Sequence, residues 1–318
     1  MEAVVLAGGY ATRLWPITRH RPKMLLPVGE TTVIDRILRA LENDDRIDTT
    51  YVSTNEAFAD VFEAHVEEKG YEKTQLSVEK TSDEDEKFGV VGALAQLVDR
   101  ERIDDELFVI AGDNLVGFDI SDFLDYYEEK GAPALAAYDV GSKEKAKSYG
   151  LVELDGERVV EFQEKPDEPN STLVSIACYA FPADSVRFSE YLSEENNPDE
   201  PGWYIEWLQS EEPVYAFTFE DTWFDIGTPD SYFETVDWEL EGESLIHPDA
   251  TVENSEIGDT VHVMEGSEVI DASLDTAIVF PNAEVRNCDL EETIVGEDVE
   301  IEDLDISGAL MTEVPTID

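Results

Sequence analysis

The chain has 318 residues, enough for one large α/β domain and a smaller module. Its 76 acidic residues against 21 Lys and Arg give a formal net charge of −55, with the acids dispersed along the chain. Such a surface argues against nucleic acid and anionic membranes as partners. It suits a salt-accumulating cytoplasm, where the screening length falls to about 3 Å at molar salt.

Hydrophobic residues at 42% supply a packed core. Cys178 and Cys288 are too few for a disulfide framework, and no apolar run approaches the length of a membrane span. A soluble, cytoplasmic, halophilic protein is expected. In chain order, apolar runs at 3–7, 50–54, 76–78, 107–111 and 134–138 predict strands. Stretches at 32–42, 56–68, 91–99 and 121–129 predict helices. This alternation predicts an α/β fold with a doubly wound, Rossmann-like sheet. Later strands, expected at 151–153, 159–163, 175–181 and 214–219, suggest an inserted mixed sheet forming the other wall of a cleft.

Near Gly242 the pattern changes, and single aliphatics recur every five or six residues. Three interleaved series run Ile246, Val263, Val279, Val295; Val252, Val269, Val285, Ile301; and Ile257, Leu274, Leu290, Ile306. Each steps by 17, 16 and 16 residues, the arithmetic of a coil with three short strands, each turning one aliphatic inward. A C-terminal β-helical solenoid over 244–318 is therefore expected after a main domain over 1–243. Its open end calls for a hydrophobic contact or a partner subunit as a cover, and the solenoid suggests self-association, so a homo-oligomer is the expected state.

The chemistry concentrates at the start. Residues 3–29 contain no Asp or Glu but hold Arg13, Arg19, Arg21 and Lys23. With acids at about a quarter of positions, chance clears a window of that length roughly once in a thousand trials. A protein this acidic must exclude carboxylates wherever it binds a polyphosphate. Gly8 and Gly9 follow the first strand, where open α/β sheets bind ligands and glycines admit phosphate oxygens to backbone N–H groups. Neither a P-loop nor G-x-G-x-x-G is present, so these features alone mean only a phosphate ligand. Asp113 in AGDN and Asp225 in WFDIGTPD each follow a strand-like run and could offer carboxylate oxygens to Mg²⁺.

LAGGYATRLWPITRHRPKMLLPV closely resembles the opening motif of sugar-1-phosphate nucleotidylyltransferases, L-A-G-G-x-G-T-R-L-x-P-x-T-x-x-x-P-K-x-L-L-P-V. AGDN, FQEKP and WFDIGTPDSY resemble later motifs of that family in the same order. The β-helical tail is similar to that of its longer members, and a left-handed hexapeptide-like helix is implied. The resemblance implies Arg13 on the triphosphate and departing pyrophosphate, and Lys23 on the reacting phosphates. It implies Asp113 and Asp225 on Mg²⁺, Lys165 on the sugar phosphate and Glu164 on sugar hydroxyls. Gly150 and Ser175 fall where backbone contacts the sugar; Leu6, Ala7, Gly8, Gly9, Glu79 and Gly89 fall around the nucleotide.

Three departures stand out. Ala11 replaces the family glycine of G-T-R-L, which costs about 1 kcal/mol if the site needs positive φ. Glu79 lies where thymidylyl-specific members share a glutamine, and Gly89-Val90-Val91-Gly92 only partly matches the base-side segment.

The implied reaction joins a nucleoside triphosphate to a sugar 1-phosphate with release of pyrophosphate. UTP or dTTP with glucose 1-phosphate is the expected pair, ahead of GTP with mannose 1-phosphate. No general base is required: His20 and His65 read as surface residues, and His247 and His262 belong to the tail. Two alternatives are a non-catalytic nucleotide-sugar-binding regulatory subunit and a bifunctional enzyme whose coils also transfer acyl groups, with His262 as the plausible base there.

Overall fold

The computed structural model describes residues 1–79 and 88–312. The chain divides into two units, one of residues 1–9 and 33–224, the other of residues 10–32 and 225 onward.

The first unit is built on β1 (Glu2–Leu6), α1 (Val33–Asn43), β2 (Thr49–Asn55), α2 (Ala59–Lys69), β3 (Thr74–Glu79), α3 (Val90–Glu101), β4 (Leu107–Ala111) and α4 (Ile120–Lys130). It continues through β5 (Ala134–Asp139), β6 (Gly150–Asp155), β7 (Arg158–Glu164), β8 (Leu173–Phe181), α5 (Pro201–Glu211) and β9 (Tyr215–Thr218). The strand order is β3-β2-β1-β4-β8-β5-β9-β7-β6.

β3, β2, β1 and β4 are parallel. Ala3, Val4 and Val5 of β1 and Leu107 to Ile110 of β4 are fully buried, as expected for strands covered on both faces. The chain leaves β1 toward β2 on one side and returns to β4 on the other, so the topological switch point lies at the carboxyl ends of β1 and β4.

The later strands do not form a separate inserted sheet. β8 pairs antiparallel with β4 through Cys178↔Ile110, which joins them to the same nine-stranded sheet. This pairing links strands far apart in sequence, and local periodicity carries no information about it. The first half of β8 pairs with both β5 and β6; a bulge between Ser175 and Tyr179, with Ala177 at φ 52°, then turns the strand toward β4. Cys178 and Cys288 are both free and buried.

In the second unit, α6 (Pro229–Leu240) starts with a capping box between Thr228 and Ser231 and Pro229 in its first turn. Residues 10–32 form two 3₁₀ turns, Thr12–Leu14 and Lys23–Leu25, around buried Leu14, Ile17, Leu25 and Leu26.

Beyond α6 every strand pairs in parallel at steps of 17 or 16 residues. The three aliphatic series are the registers themselves: Ile246↔Val263↔Val279↔Val295, Val252↔Val269↔Val285↔Ile301, and Ile257↔Leu274↔Leu290↔Ile306. Most of these aliphatics form one core cluster. Turn residues stack too. Asn254, Asp271, Asn287 and Asp303 all have φ near 50–60°, as do Thr260, Thr276 and Glu292, and then Asn282 and Asp298. Short polar side chains tolerate this left-handed conformation best. These registers are compatible with a β-helix. The last six residues of the expected C-terminal module lie outside the described residues.

Candidate active site

In the first unit, the carboxyl ends of β1, β2 and β3 gather around the glycine turn. Ala7 N–H donates to Ser53 O (2.8 Å) and Thr54 Oγ1 to Ala7 O (3.3 Å). Asn55 Nδ2 donates to Gly8 O (2.9 Å), while Asn55 Oδ1 accepts from Ala57 N and Phe58 N ahead of α2. The turn is thus pinned by side chains of β2.

A β-carbon placed on Gly8 would lie 3.7 Å from Glu79 Oε1, whereas one on Gly9 would meet nothing within 4 Å. Glu79 ends β3, is 8% exposed, and accepts from Ser53 Oγ at 3.4 Å. Burial raises its pKa, opposed by the Ser53 hydrogen bond and the charge of Arg100.

Gly89 precedes α3 at φ 75°, and a β-carbon there would lie 2.3 Å from Pro198 O. Only glycine fits. The first N–H groups of α3 are taken by this same segment, Val90 N by Asp199 O and Val91 N by Pro198 O, both at 2.9 Å.

Asp113 follows β4 in a turn fixed on both sides. Gly112 N–H donates to Leu6 O (2.9 Å), and Asn114 donates through Nδ2 to Ile176 O while its Oδ1 accepts from Trp223 Nε1 (3.2 Å).

A second group lies on the antiparallel half of the sheet. Glu164 pairs with Gly150, and Gly150 with Ser175, which sets the three side by side across β7, β6 and β8. A β-carbon on Gly150 would lie 2.3 Å from Phe162 Cζ, and one on Gly202 would strike the Glu164 carboxylate. Gly202 stands in the first turn of α5, so the helix accepts Glu164 only because it has no side chain there. Burial, then Glu200, pushes the Glu164 pKa up to about 7, with Lys165 opposing. Lys165 itself sits at φ 44° and pairs with Glu200. Glu200 and Gly202 escape motif reading because α5 brings them from 35 or more residues away; a Pro-Gly opening a helix after an acid is the one local signal.

In the second unit, Ala11 has φ 48° and ψ 45°, so the position that the family fills with glycine does adopt the left-handed conformation. Its carbonyl accepts from Leu14 N (3.0 Å) and Thr18 Oγ1 (2.9 Å), which closes the turn bearing Arg13. Arg13 is exposed, and a β-carbon on Gly227 would lie 3.2 Å from its Nη2 and 3.8 Å from Asp225 Oδ1. Arg13 and Asp225 therefore face the same spot.

Lys23 opens the second turn and is partly buried. Arg21 is not an unassigned cation of this window: it pairs with Glu297 and lies over Phe280. Nor is His65 a surface residue; it is 12% exposed, with Nε2 2.8 Å from Asp35 Oδ1. His262 is buried, and burial pushes its pKa down to about 4, a poor match for a base at neutral pH.

Among the described residues, no cluster of three or more His, Cys, Asp or Glu could hold a metal by itself. Asp113 and Asp225 each offer hard carboxylate oxygens of the kind that suits Mg²⁺, an ion that takes the rest of its coordination from phosphate oxygens and water.

A doubly wound sheet with a glycine turn at its switch point defines an α/β domain of the nucleotide-binding class. The family model for nucleotidyl transferases matches residues 2–241, and the chain belongs to that family, among enzymes that act on sugar 1-phosphates. It is 31% identical over 283 residues to a Sulfolobus acidocaldarius protein described as a mannose-1-phosphate guanyltransferase, covering 85% of this chain and 74% of that one. It is 29% identical to the bifunctional protein GlmU of Methanocaldococcus jannaschii and 27% to a glucose-1-phosphate adenylyltransferase of Rhodopirellula baltica. These matches cover 72% and 73% of this chain, but only 52% and 58% of those proteins.

A Bacillus anthracis structure described as a glucose-1-phosphate thymidylyltransferase in complex with a sucrose superposes with a TM-score of 0.65 at 22% identity, over 75% of this chain and 95% of that one. A UDP-glucose pyrophosphorylase bound to UDP-glucose gives 0.63 at 20%, over 76% and 99%. At these identities the structures establish the fold.

Proposed function

We propose that the protein transfers a guanylyl group from GTP to a hexose 1-phosphate, with mannose 1-phosphate as the acceptor, releasing pyrophosphate. The observation that carries the base assignment is Glu79, a buried carboxylate beside the Gly8 turn, where thymidylyl-specific relatives share a glutamine. An ionised carboxylate only accepts hydrogen bonds and so complements the paired N1–H and N2–H donors of guanine. The similarity to the Sulfolobus guanyltransferase supports the same base. A second reading, UTP or dTTP with glucose 1-phosphate, draws on the raised pKa of Glu79: its neutral form offers one donor and one acceptor, as glutamine does.

The chemistry is in-line attack of a sugar 1-phosphate oxygen on the α-phosphorus, so two anions must be brought together. Arg13 binds the triphosphate and the leaving pyrophosphate, and Lys23 the α-phosphoryl oxygens. Leu6, Ala7, Gly8, Gly9 and Gly89 shape the nucleotide seat. Lys165 takes the sugar phosphate, Glu164 accepts sugar hydroxyls, and Gly150 and Ser175 present backbone to the ring. Mg²⁺, when bound, supplies further neutralisation of phosphate charge, and Asp113 and Asp225 are the residues to hold it. The nucleophile is already ionised, so no general base is needed.

Residues 1–243 would form the transferase domain and 244–318 a left-handed β-helix serving assembly in a homo-oligomer, in a salt-rich cytoplasm. The test is pyrophosphate release in molar salt with Asp113→Asn: turnover should vanish while circular dichroism is unchanged, and near-normal turnover refutes the metal role. No pyrophosphate from the wild type with any triphosphate would favour a regulatory subunit.

A further inference from the structure

Arg21 lies in the acid-free loop two residues before Lys23, yet its charge is committed elsewhere. Its guanidinium pairs with Glu297 and sits 5.0 Å from the centroid of the Phe280 ring. Phe280 is 2% exposed, and Phe280 and Glu297 belong to successive turns of the C-terminal coils, since Val279 pairs with Val295. Both anchors are themselves fixed: Phe280 N–H donates to Val295 O (2.9 Å) and its carbonyl accepts from Ser267 Oγ (2.8 Å), while Gly296, before Glu297, donates to Met311 O (2.7 Å).

From Arg21 the chain has little freedom before Lys23. Pro22 is buried with its φ fixed by the ring, and its carbonyl accepts from Leu25 N (2.9 Å), closing the Lys23–Leu25 turn. On the far side of that turn, Tyr232 of α6 donates to Pro27 O (2.7 Å). A guanidinium that lies over an aromatic ring and also pairs with a carboxylate is held at two points.

We propose that Phe280 and Glu297 are positioning residues for nucleotidyl transfer: through Arg21 the C-terminal coils hold the loop segment that carries Lys23. The proposal rests on the transferase reading for its kinetic consequence. Its geometric content, that losing the link loosens Lys23, can be read without turnover.

The test uses the full chain with Arg21→Ala, Glu297→Gln, Phe280→Leu, Arg21→Lys, the Arg21→Ala/Glu297→Gln pair, and Arg286→Ala as a control for an ion pair elsewhere on the coils. Misplacing a catalytic group by about 1 Å can cost up to a hundredfold. We therefore expect kcat to fall about tenfold or more in Arg21→Ala and Glu297→Gln, with the KM for sugar 1-phosphate unchanged. The double variant should be no worse than either single, Arg21→Lys should recover part of the loss, and Arg286→Ala should match the wild type. In parallel, the rate of Lys23 acylation by acetic anhydride, followed by mass spectrometry, should rise several-fold in the same variants, at a melting temperature within a few degrees of the wild type. Unchanged kcat in an active wild type, additive losses in the double variant, or unchanged Lys23 labelling each overturn the proposal. An inactive wild type with faster Lys23 labelling in the variants overturns the transferase reading and keeps the link.

Discussion

Replacing Glu79 with glutamine should change which nucleotide the protein uses. Glu79 is 8% exposed, and among the described residues its hydrogen bond from Ser53 Oγ is long at 3.4 Å. Its oxygens therefore retain acceptor capacity for a base. Facing guanine, the ionised carboxylate accepts from two N–H groups; facing uracil or thymine, it sets an oxygen against a carbonyl oxygen. A buried mispaired polar group costs about 1–3 kcal/mol, roughly 5- to 150-fold in an equilibrium or rate ratio.

Glu79→Gln reverses one of the two pairings. The kcat/KM for GTP should fall about tenfold, that for UTP or dTTP should rise by a similar factor, and the ratio should swing about a hundredfold. The assay is competitive pyrophosphate release in molar salt with ATP, GTP, CTP, UTP and dTTP at pH 8. An independent check follows from the raised pKa of Glu79. Its charge is disfavoured in the folded state, so its contribution to stability is full below the unfolded pKa and is lost as pH rises through the higher folded value. The glutamine variant lacks that loss and should melt higher than the wild type at pH 8 but not at low pH. A GTP-to-UTP ratio unchanged within threefold, in a variant that shows this stability signature, would refute base reading by Glu79.

Ala11→Gly removes a β-carbon from a residue at φ 48° and should stabilise the fold by up to about 1 kcal/mol, seen as a rise in melting temperature. Glu164 titrates near pH 7, so if its ionised form accepts sugar hydroxyls the KM for sugar 1-phosphate should fall as pH rises from 6 to 8. Glu200→Gln removes a carboxylate that raises that pKa, so the midpoint should move to lower pH; the sugar phosphate's own titration, common to both proteins, cannot produce such a difference. Gly202→Ala drives a β-carbon into the Glu164 carboxylate and should raise the sugar 1-phosphate KM about tenfold while leaving the GTP KM unchanged in steady-state assays.

Much of this fold was legible because its signals are local or periodic. β1 and β4 read as apolar runs because both faces are covered, and the coil series read directly because a 16-residue step is a register. A second periodic signal, the Asn and Asp residues at 254, 271, 287 and 303, marks one stacked corner and could have fixed the coil boundaries. The placement of β8 beside β4 could not be read, since pairing between strands some 70 residues apart leaves no trace in either run. The helix α6 is signalled by Thr-Pro-Asp-Ser, a cap and a first-turn proline, inside the motif that carries Asp225.

The site divides in the same way. In so acidic a chain, a window without carboxylates singles out one loop, and Arg13 and Lys23 belong to it. The same statistic cannot say which cation faces a ligand. Arg21 shares the window and the charge, but its partner is an acid 276 residues later. Charge composition therefore locates the loop, and only the fold assigns each cation: Arg13 beside Asp225, Arg21 to the coils that hold the loop in place.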